Sequence, residues 1–297
     1  MKMQDVILVG GGYAGMAAAL QLLRARRSVL IIDAGMRRNR SASHSYGFLG
    51  QDGVDPAELA GIARTQLEAY PTLTWKEGEV ASAAGENDAF QVTLTTGERF
   101  ETRRLLFATG VTDGLPSVPG LAERWGRSVF HCPYCHGYEL AQGHIGVIAT
   151  GPMSVHQAQL LTEWGKVTFL TNALMPLDDE TRTDLHRRGA TMEETPIDRI
   201  EGKAEVFLTD GRRVDFAGLF TAPICSPASA VAETMGCALI ETPMGSQLRT
   251  SDEKETSICG VFACGDVARA PHSVSLAVAD GATAGAQIHR SLVWPSR

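Results

Sequence analysis

The amino-acid sequence predicts an α/β fold of two sheet-and-helix domains, the second inserted into the first. Three observations carry that expectation. A strand, a glycine-rich turn, a helix, a second strand and an acidic residue follow one another up to residue 33. The same order returns in weakened form from residue 144, past a stretch rich in proline and glycine. Near the C-terminus a strand again runs into glycine and aspartate, which returns the chain to the first domain. A length of 297 residues agrees with about two domains.

Val6-Ile7-Leu8-Val9 is a short continuous apolar run of the kind a buried parallel strand shows. It enters Gly10-Gly11-Gly12-Tyr13-Ala14-Gly15, and Met16 to Arg27, rich in Ala and Leu, follows as a helix. Val29-Leu30-Ile31-Ile32 reads as the next strand and ends on Asp33, at roughly the 20-residue distance expected of the motif's acid. Gly10 permits the tight turn, Gly12 admits a pyrophosphate to the backbone, and Gly15 lets helix and strand pack closely. The helix N-terminus faces the phosphate charge, and Asp33 accepts hydrogen bonds from ribose hydroxyls. A lone glycine cluster is often only a turn. In this complete setting it predicts a Rossmann-like, three-layer ββα domain that binds a dinucleotide, without choosing between FAD and NAD.

Asp55-Pro56-Ala57-Glu58 combines a capping residue, a proline at the first helical position and a glutamate three after the cap, opening a helix to about Tyr70. Leu73 to Val80 and Phe90 to Thr95 read as small antiparallel strands. Leu105-Leu106-Phe107-Ala108-Thr109-Gly110 is a buried strand closing on a small-residue turn, and Val111 to Gly120 reads as a linker. The expected segments are a first domain over 1–114 and 238–297, with an inserted NAD(P)-binding-like domain over 115–237.

In the insert, His144 to Ala149 is a strand, Val155 to Trp164 a helix and Val167 to Leu170 a strand. The intervening turn, Ala149-Thr150-Gly151-Pro152-Met153-Ser154, keeps only its middle glycine, and Pro152 removes a backbone donor that a phosphate would use. Thr171-Asn172 follows the second strand, with neither an acid for a ribose nor an arginine for a 2′-phosphate. The insert is expected to keep the fold without its nicotinamide ligand, which leaves NADPH open as a cofactor. Asp210-Gly211 marks a hairpin of structural meaning only. Gly260 to Asp266 repeats the strand-then-glycine-acid theme, and a long helix from Ser273 to about Val293 follows.

Composition removes other classes. At 44% hydrophobic and 21% charged, the chain is neither disordered nor fibrous. A net charge of −7 argues against tracking a nucleic-acid backbone. No apolar run approaches the roughly 18 residues of a membrane span, and Lys2 alone before the glycine turn does not read as a signal peptide. A cytoplasmic protein without nucleic-acid or membrane partners is expected. Six cysteines in that setting point to chemistry rather than to a structural disulfide framework.

That chemistry centres on Cys132-Pro133-Tyr134-Cys135, followed by His136-Gly137-Tyr138-Glu139. Two thiols two residues apart close a small disulfide at low conformational cost, and a helix N-terminus at the first would lower its pKa. Half of a zinc site is an alternative, but Cys225, Cys237, Cys259 and Cys264 offer no second pair two apart. Two buried, inert thiols are another. The other four cysteines read as core, and no metal is expected. His136, next to the second thiol, is the candidate for proton exchange with it; His131 and His144 read as structural.

Gly10 to Gly15 with Asp33, Ala108-Thr109-Gly110, the cysteine pair heading the insert and Val261 to Val267 together resemble the low-molecular-weight thioredoxin reductases, over essentially the whole chain. The resemblance implies a homodimeric flavoprotein holding FAD in the split first domain. It implies pyrophosphate at Gly12, Ala14 and Gly15, adenosine ribose at Asp33 and adenine near Val80. Ala108, Thr109 and Gly110 carry one shared motif, Gly265 and Asp266 lie at the ribityl chain, and Val274 opens the helix at the flavin edge. It also implies that Cys135 faces the flavin and Cys132 exchanges with substrate. An acid after the second cysteine, an intact second glycine motif and an arginine segment for NADPH are normal in that family and are missing here. Cys132 to Glu139 and Ser45-Tyr46-Gly47-Phe48-Leu49-Gly50 resemble instead the branch of gliotoxin- and holomycin-type dithiol oxidases.

Three functions follow as expectations. The first is an FAD-dependent thiol–disulfide oxidoreductase acting on a dithiol or disulfide small molecule. The second is an NADPH-dependent reductase of a thioredoxin-like protein. The third is a flavin-binding redox sensor without turnover.

Overall fold

Side chains alternate across the first strand, and the alternation builds the core on both faces of one sheet. In the computed structural model, which describes residues 3–174 and 176–294, the chain forms two compact units. Unit 1 comprises Met1–Arg40, Phe48–Thr112 and Cys225–Arg297; unit 2 comprises Ser41–Gly47 and Asp113–Ile224. Lys2 and the expected domain ends at 1 and 297 lie outside the described residues.

Unit 1 starts with β1 (Gln4–Val9), α1 (Tyr13–Arg24) and β2 (Val29–Asp33). These are followed by α2 (Pro56–Glu68), β3 (Leu73–Glu77), β4 (Val80–Glu86), β5 (Ala89–Leu94) and β6 (Arg99–Phe107). The sheet order is β3-β2-β1-β6-β5-β4, and the strand Val261–Ala263 pairs in parallel with the end of β6. Val6 and Leu8 face a cluster that includes Ala18 and Leu22 of α1 and Ala284 and Ile288 of the C-terminal helix Val274–Val293. Ile7 and Val9 face the opposite cluster, with Phe90, Val92, Val231 and Cys237. Both faces are covered, so the strand reads as a continuous apolar run.

Local signals explain the ends. Asp55 caps α2, its Oδ1 accepting from the N–H of Ala57 at 2.7 Å and of Glu58 at 3.2 Å. Ser273 caps the C-terminal helix by accepting from Leu276 N–H at 3.1 Å. Helix α1 stops at Arg24, earlier than Arg27, because Arg26 turns left-handed at φ 60°.

Four expectations change. Strand β3 is parallel to β2, not antiparallel, because the α2 crossover carries the chain back to the same edge in the same direction. The run read from Leu73 to Val80 ends at Glu77, and β4, which was not read as a strand, pairs antiparallel with β5. The stretch read as a linker begins with a short strand, Val111–Gly114. Residues 225–237, expected in the insert, belong to unit 1, where Val231, Ala232 and Cys237 bury against the sheet.

Unit 2 is built on a sheet in which His144–Ile148 lies between Lys166–Leu170 and Gly218–Thr221, all parallel. Ile145 and Val147 face one cluster with Ala158 and Phe169, and Ile148 faces the other with Leu219 and Val206. The Asp210-Gly211 turn joins Glu205–Leu208 to Arg213–Asp215 as an antiparallel hairpin, Gly211 at φ 89°. No helix among the described residues is long and apolar enough to cross a membrane.

Candidate active site

In unit 1 the glycine turn is shaped by what its side-chain positions would meet. Gly10 holds φ 106°, and a Cβ there would run into the Ala108 carbonyl. A Cβ on Gly15 would collide with the Gly10 carbonyl oxygen, and one on Gly11 would lie 2.7 Å from the Trp75 ring and 2.9 Å from Asp33 Cβ. Gly12 alone opens onto free space, with no neighbour within 4 Å. It is the N-cap of the 12-residue α1 and offers no side-chain cap, so the first-turn N–H groups are left to an external acceptor. The cradle is closed on three glycines and open at the fourth, which fits a cofactor diphosphate.

Asp33 ends β2 beside this turn, and its Oδ1 accepts the Gly11 N–H at 3.0 Å. The second carboxylate oxygen makes no hydrogen bond among the described residues and is available to ribose hydroxyls. Ala108 is buried, Thr109 and Gly110 are half-buried, and Gly110 turns at φ 70°. Val80 opens β4 and is buried. Val274 opens the C-terminal helix. Gly265 holds φ 75°, and Asp266 follows it in a short 3-10 turn.

Asp266 brings a residue that the sequence reading missed. Arg38 Nη1 lies 3.0 Å from Asp266 Oδ2 and 2.7 Å from His272 Nδ1, and its Nη2 lies 3.6 Å from Cys225 Sγ. The signal was present as a basic run, Arg37-Arg38-Asn39-Arg40, just after the motif acid. Gly11 and Trp75 were also missed, since tightness around a glycine depends on a strand distant in sequence.

Unit 2 carries the cysteine pair. Cys132 is the N-cap of Pro133–His136, and the two Sγ atoms lie 2.6 Å apart. The Cys135 N–H donates to the Cys132 carbonyl at 3.2 Å, so the backbone turn itself brings the sulfurs together. Joining them into a disulfide of about 2.05 Å needs little movement. The helix-terminus expectation needs correction. The helix has four residues and begins with a proline that has no N–H, so too few peptide dipoles align to favour a thiolate. Gln157 supports the approach to the pair by donating from Nε2 to the His131 carbonyl at 2.6 Å. Its helix register, one of several inward positions in Pro152–Leu161, gave no hint of that partner.

His136 packs its ring flat against Phe130, with centroids 4.3 Å apart, and meets Tyr46 edge-on at 6.2 Å. Burial lowers its pKa to about 4, so the imidazole is neutral at pH 7 and has no acidic proton to give. Tyr134 and Tyr138 beside the pair are exposed, and Tyr134 meets Trp164 edge-on.

The second glycine turn is open at Gly151, with no neighbour within 4 Å of a Cβ there, and differs from the first in its donors. Ser154 is fully buried and its Oγ accepts the Thr150 N–H at 2.9 Å, while Thr150 Oγ1 donates to the Ala222 carbonyl at 2.6 Å. Pro152 occupies the first helical position. At the ribose position Thr171 N–H donates to the Glu193 carbonyl, and Asn172 Oδ1 accepts from Ile197 N–H at 2.8 Å. Thr150 N–H, Thr171 N–H and Asn172 Oδ1 are thus taken up inside the unit.

The family model for pyridine nucleotide-disulphide oxidoreductases matches residues 4–281. The thioredoxin reductase tcpT of Claviceps purpurea is 33% identical, over 95% of this chain and 92% of that protein. The thioredoxin reductase sirT of Leptosphaeria maculans is 32% identical, over 96% and 93% respectively. Among solved structures, an oxidoreductase from Agrobacterium tumefaciens matches with TM-score 0.97 and 53% identity, covering 99% of this chain and 100% of the other. HlmI matches with TM-score 0.91 and 34% identity, covering 98% and 93%.

Proposed function

This chain belongs to the pyridine nucleotide-disulphide oxidoreductases, a family that binds FAD, and from that premise we propose that its Cys132–Cys135 pair exchanges electrons between the flavin and a small dithiol or disulfide. The observation that carries the proposal is the 2.6 Å separation of two sulfurs on a turn that its own backbone closes.

In the oxidising direction a substrate thiolate attacks Cys132 Sγ, a substrate–Cys132 bond forms, and Cys135 leaves as thiolate. The second substrate thiolate then attacks the substrate sulfur of that mixed disulfide. Substrate leaves as a disulfide, and the pair keeps two electrons as two thiols or thiolates. FAD, when bound, supplies the two-electron acceptor that restores the disulfide. Gly10, Gly12, Ala14 and Gly15 would hold its diphosphate and Asp33 its adenosine ribose. Val80 would lie by the adenine and Asp266 by the ribityl chain, with Ala108, Thr109, Gly110, Gly265 and Val274 along the same wall. His136, neutral at pH 7, serves as a weak base and as packing for the turn rather than as an acid. Cys132 is assigned the exchanging role and Cys135 the flavin-linked role by the family resemblance.

Driving by NADPH is the second reading, favoured by the names of the thioredoxin reductases it resembles. The Thr150 N–H taken up by Ser154, the missing N–H of Pro152 and the committed Thr171 and Asn172 favour the first. A cytoplasmic homodimer is part of the proposal, supported by cysteine usage and by the resemblance.

Aerobic turnover of a simple dithiol tests it. The native protein oxidises dithiothreitol, and Cys132→Ser and Cys135→Ser lose nearly all turnover, because the pair acts as a unit. Turnover at the native rate in both variants would overturn it.

A further inference from the structure

Asp280 lies inside the C-terminal helix, 5% exposed, and none of the chemistry above uses it. Its Oδ2 accepts the buried N–H of Gly265 at 2.8 Å. Its Oδ1 meets Lys254 Nζ at 2.6 Å, with Arg269 Nη1 at 3.9 Å. Lys254 is tied in twice, since its carbonyl also accepts the N–H of Ala263 at 3.0 Å, at the end of the strand leading into the turn. The turn has little freedom on its other side: a Cβ on Gly265 would lie 2.7 Å from Ala14 Cβ. The neighbouring Cys264 thiol, fully buried with Asp280 nearby, is pushed well above its ordinary pKa, mainly by that burial.

A buried ion pair is a weak source of stability, because desolvation offsets most of the attraction, and an apolar pair of similar volume often serves as well. The aim of this carboxylate is more telling. It fixes a left-handed glycine N–H by a charge-assisted bond, immediately before Asp266. We propose that Asp280, paired with Lys254, is a positioning residue for the flavin nucleotide: it sets the Gly265 turn that presents Asp266 to the cofactor. This rests on the assignment of Gly265–Asp266 to FAD and adds residues that do not themselves touch it.

FAD titration into the deflavinated full-length chain, paired with melting of the same flavin-free samples, tests the proposal. Asp280→Asn keeps the shape and an acceptor for Gly265 N–H but loses the charge, and is expected to raise the FAD Kd about tenfold. Lys254→Met, which leaves the carboxylate only the more distant Arg269 as counter-charge, also raises it, while Lys254→Arg retains near-native affinity. The double variant Lys254→Met with Asp280→Asn loses less than the two single effects combined, as coupled residues do. An unchanged Kd in Asp280→Asn and Lys254→Met, even with a lowered melting temperature, overturns the proposal and leaves a structural ion pair. Should Asp280→Asn fail to fold, the contrast of Lys254→Met with Lys254→Arg decides in the same way. A native chain that binds no FAD would overturn the cofactor assignment itself, and this proposal with it.

Discussion

Asp33 places one oxygen on the Gly11 N–H, and in the proposed site the other would accept from a ribose hydroxyl. Asp33→Ala is therefore expected to weaken FAD binding by about 1.5–3 kcal/mol while the sheet still forms, measured by calorimetric titration. Unchanged affinity would remove Asp33 from the site. His136 gives a second residue-scale prediction. Its pKa is near 6.5 unfolded and about 4 folded, so the unfolded chain binds more protons between those values. Its contribution is complete above pH 6.5 and is lost as pH falls toward 4, about 2 kcal/mol of it between pH 7 and pH 5. His136→Phe should flatten that part of the acid slope in urea unfolding; an identical slope would show that the ring is not buried neutral. At the cysteines, Cys135→Ser should trap substrate as a mixed disulfide on Cys132, read by mass spectrometry, and Cys132→Ser should not. Adduct only in Cys132→Ser would reverse their roles. Asp33 and the pair were legible in the sequence because a fixed short spacing carries their meaning. Arg38, Gln157 and Asp280 were not, because each acts on a group far away in the chain, such as Asp266 or Gly265.

Helix α1 and the C-terminal helix approach closely because Gly281 and Gly285 face the Ala14 and Ala18 carbonyls. Gly281→Ala or Gly285→Ala would press a methyl into that backbone and should cost about 1–3 kcal/mol. Gly61 in the middle of α2 is exposed with open space around its Cβ position, so Gly61→Ala should add about 0.5–1 kcal/mol. Denaturant midpoints of the three variants check both signs; a stable Gly281→Ala would mean the helices do not meet there. Elements with chemical punctuation were legible, such as the Asp55-Pro56 start of α2 and the Asp210-Gly211 hairpin. The direction of β3 was not, because a half-buried strand shows the same alternation whichever way it pairs. The extent of the insert was misjudged for a similar reason: burial of Val231 and Cys237 against unit 1 leaves no mark in local sequence.

At the scale of the molecule, two nucleotide-type units differ in the backbone donors their glycine turns offer. Gly12 in unit 1 and Gly151 in unit 2 both face free space, but in unit 2 Ser154 Oγ takes up the Thr150 N–H and Pro152 has no N–H to offer. The protein should purify yellow and release FAD rather than FMN on heating, since Asp33 and the turn recognise an adenosine half that FMN lacks. Release of FMN alone would contradict that. The inserted order of the two units was legible from the returning strand-glycine-acid theme, as were Pro152 at the helix start and Asn172 after the strand; the internal hydrogen bonds of Ser154 and Asn172 were not. The most direct measurement is anaerobic: the flavin absorbance of the native protein is followed on adding dithiothreitol and, separately, NADPH. Dithiothreitol should bleach the flavin, NADPH should leave it oxidised, and removal of both thiols should abolish the dithiol response. Rapid bleaching by NADPH, or bleaching by dithiol at the native rate without Cys132 and Cys135, would contradict the account.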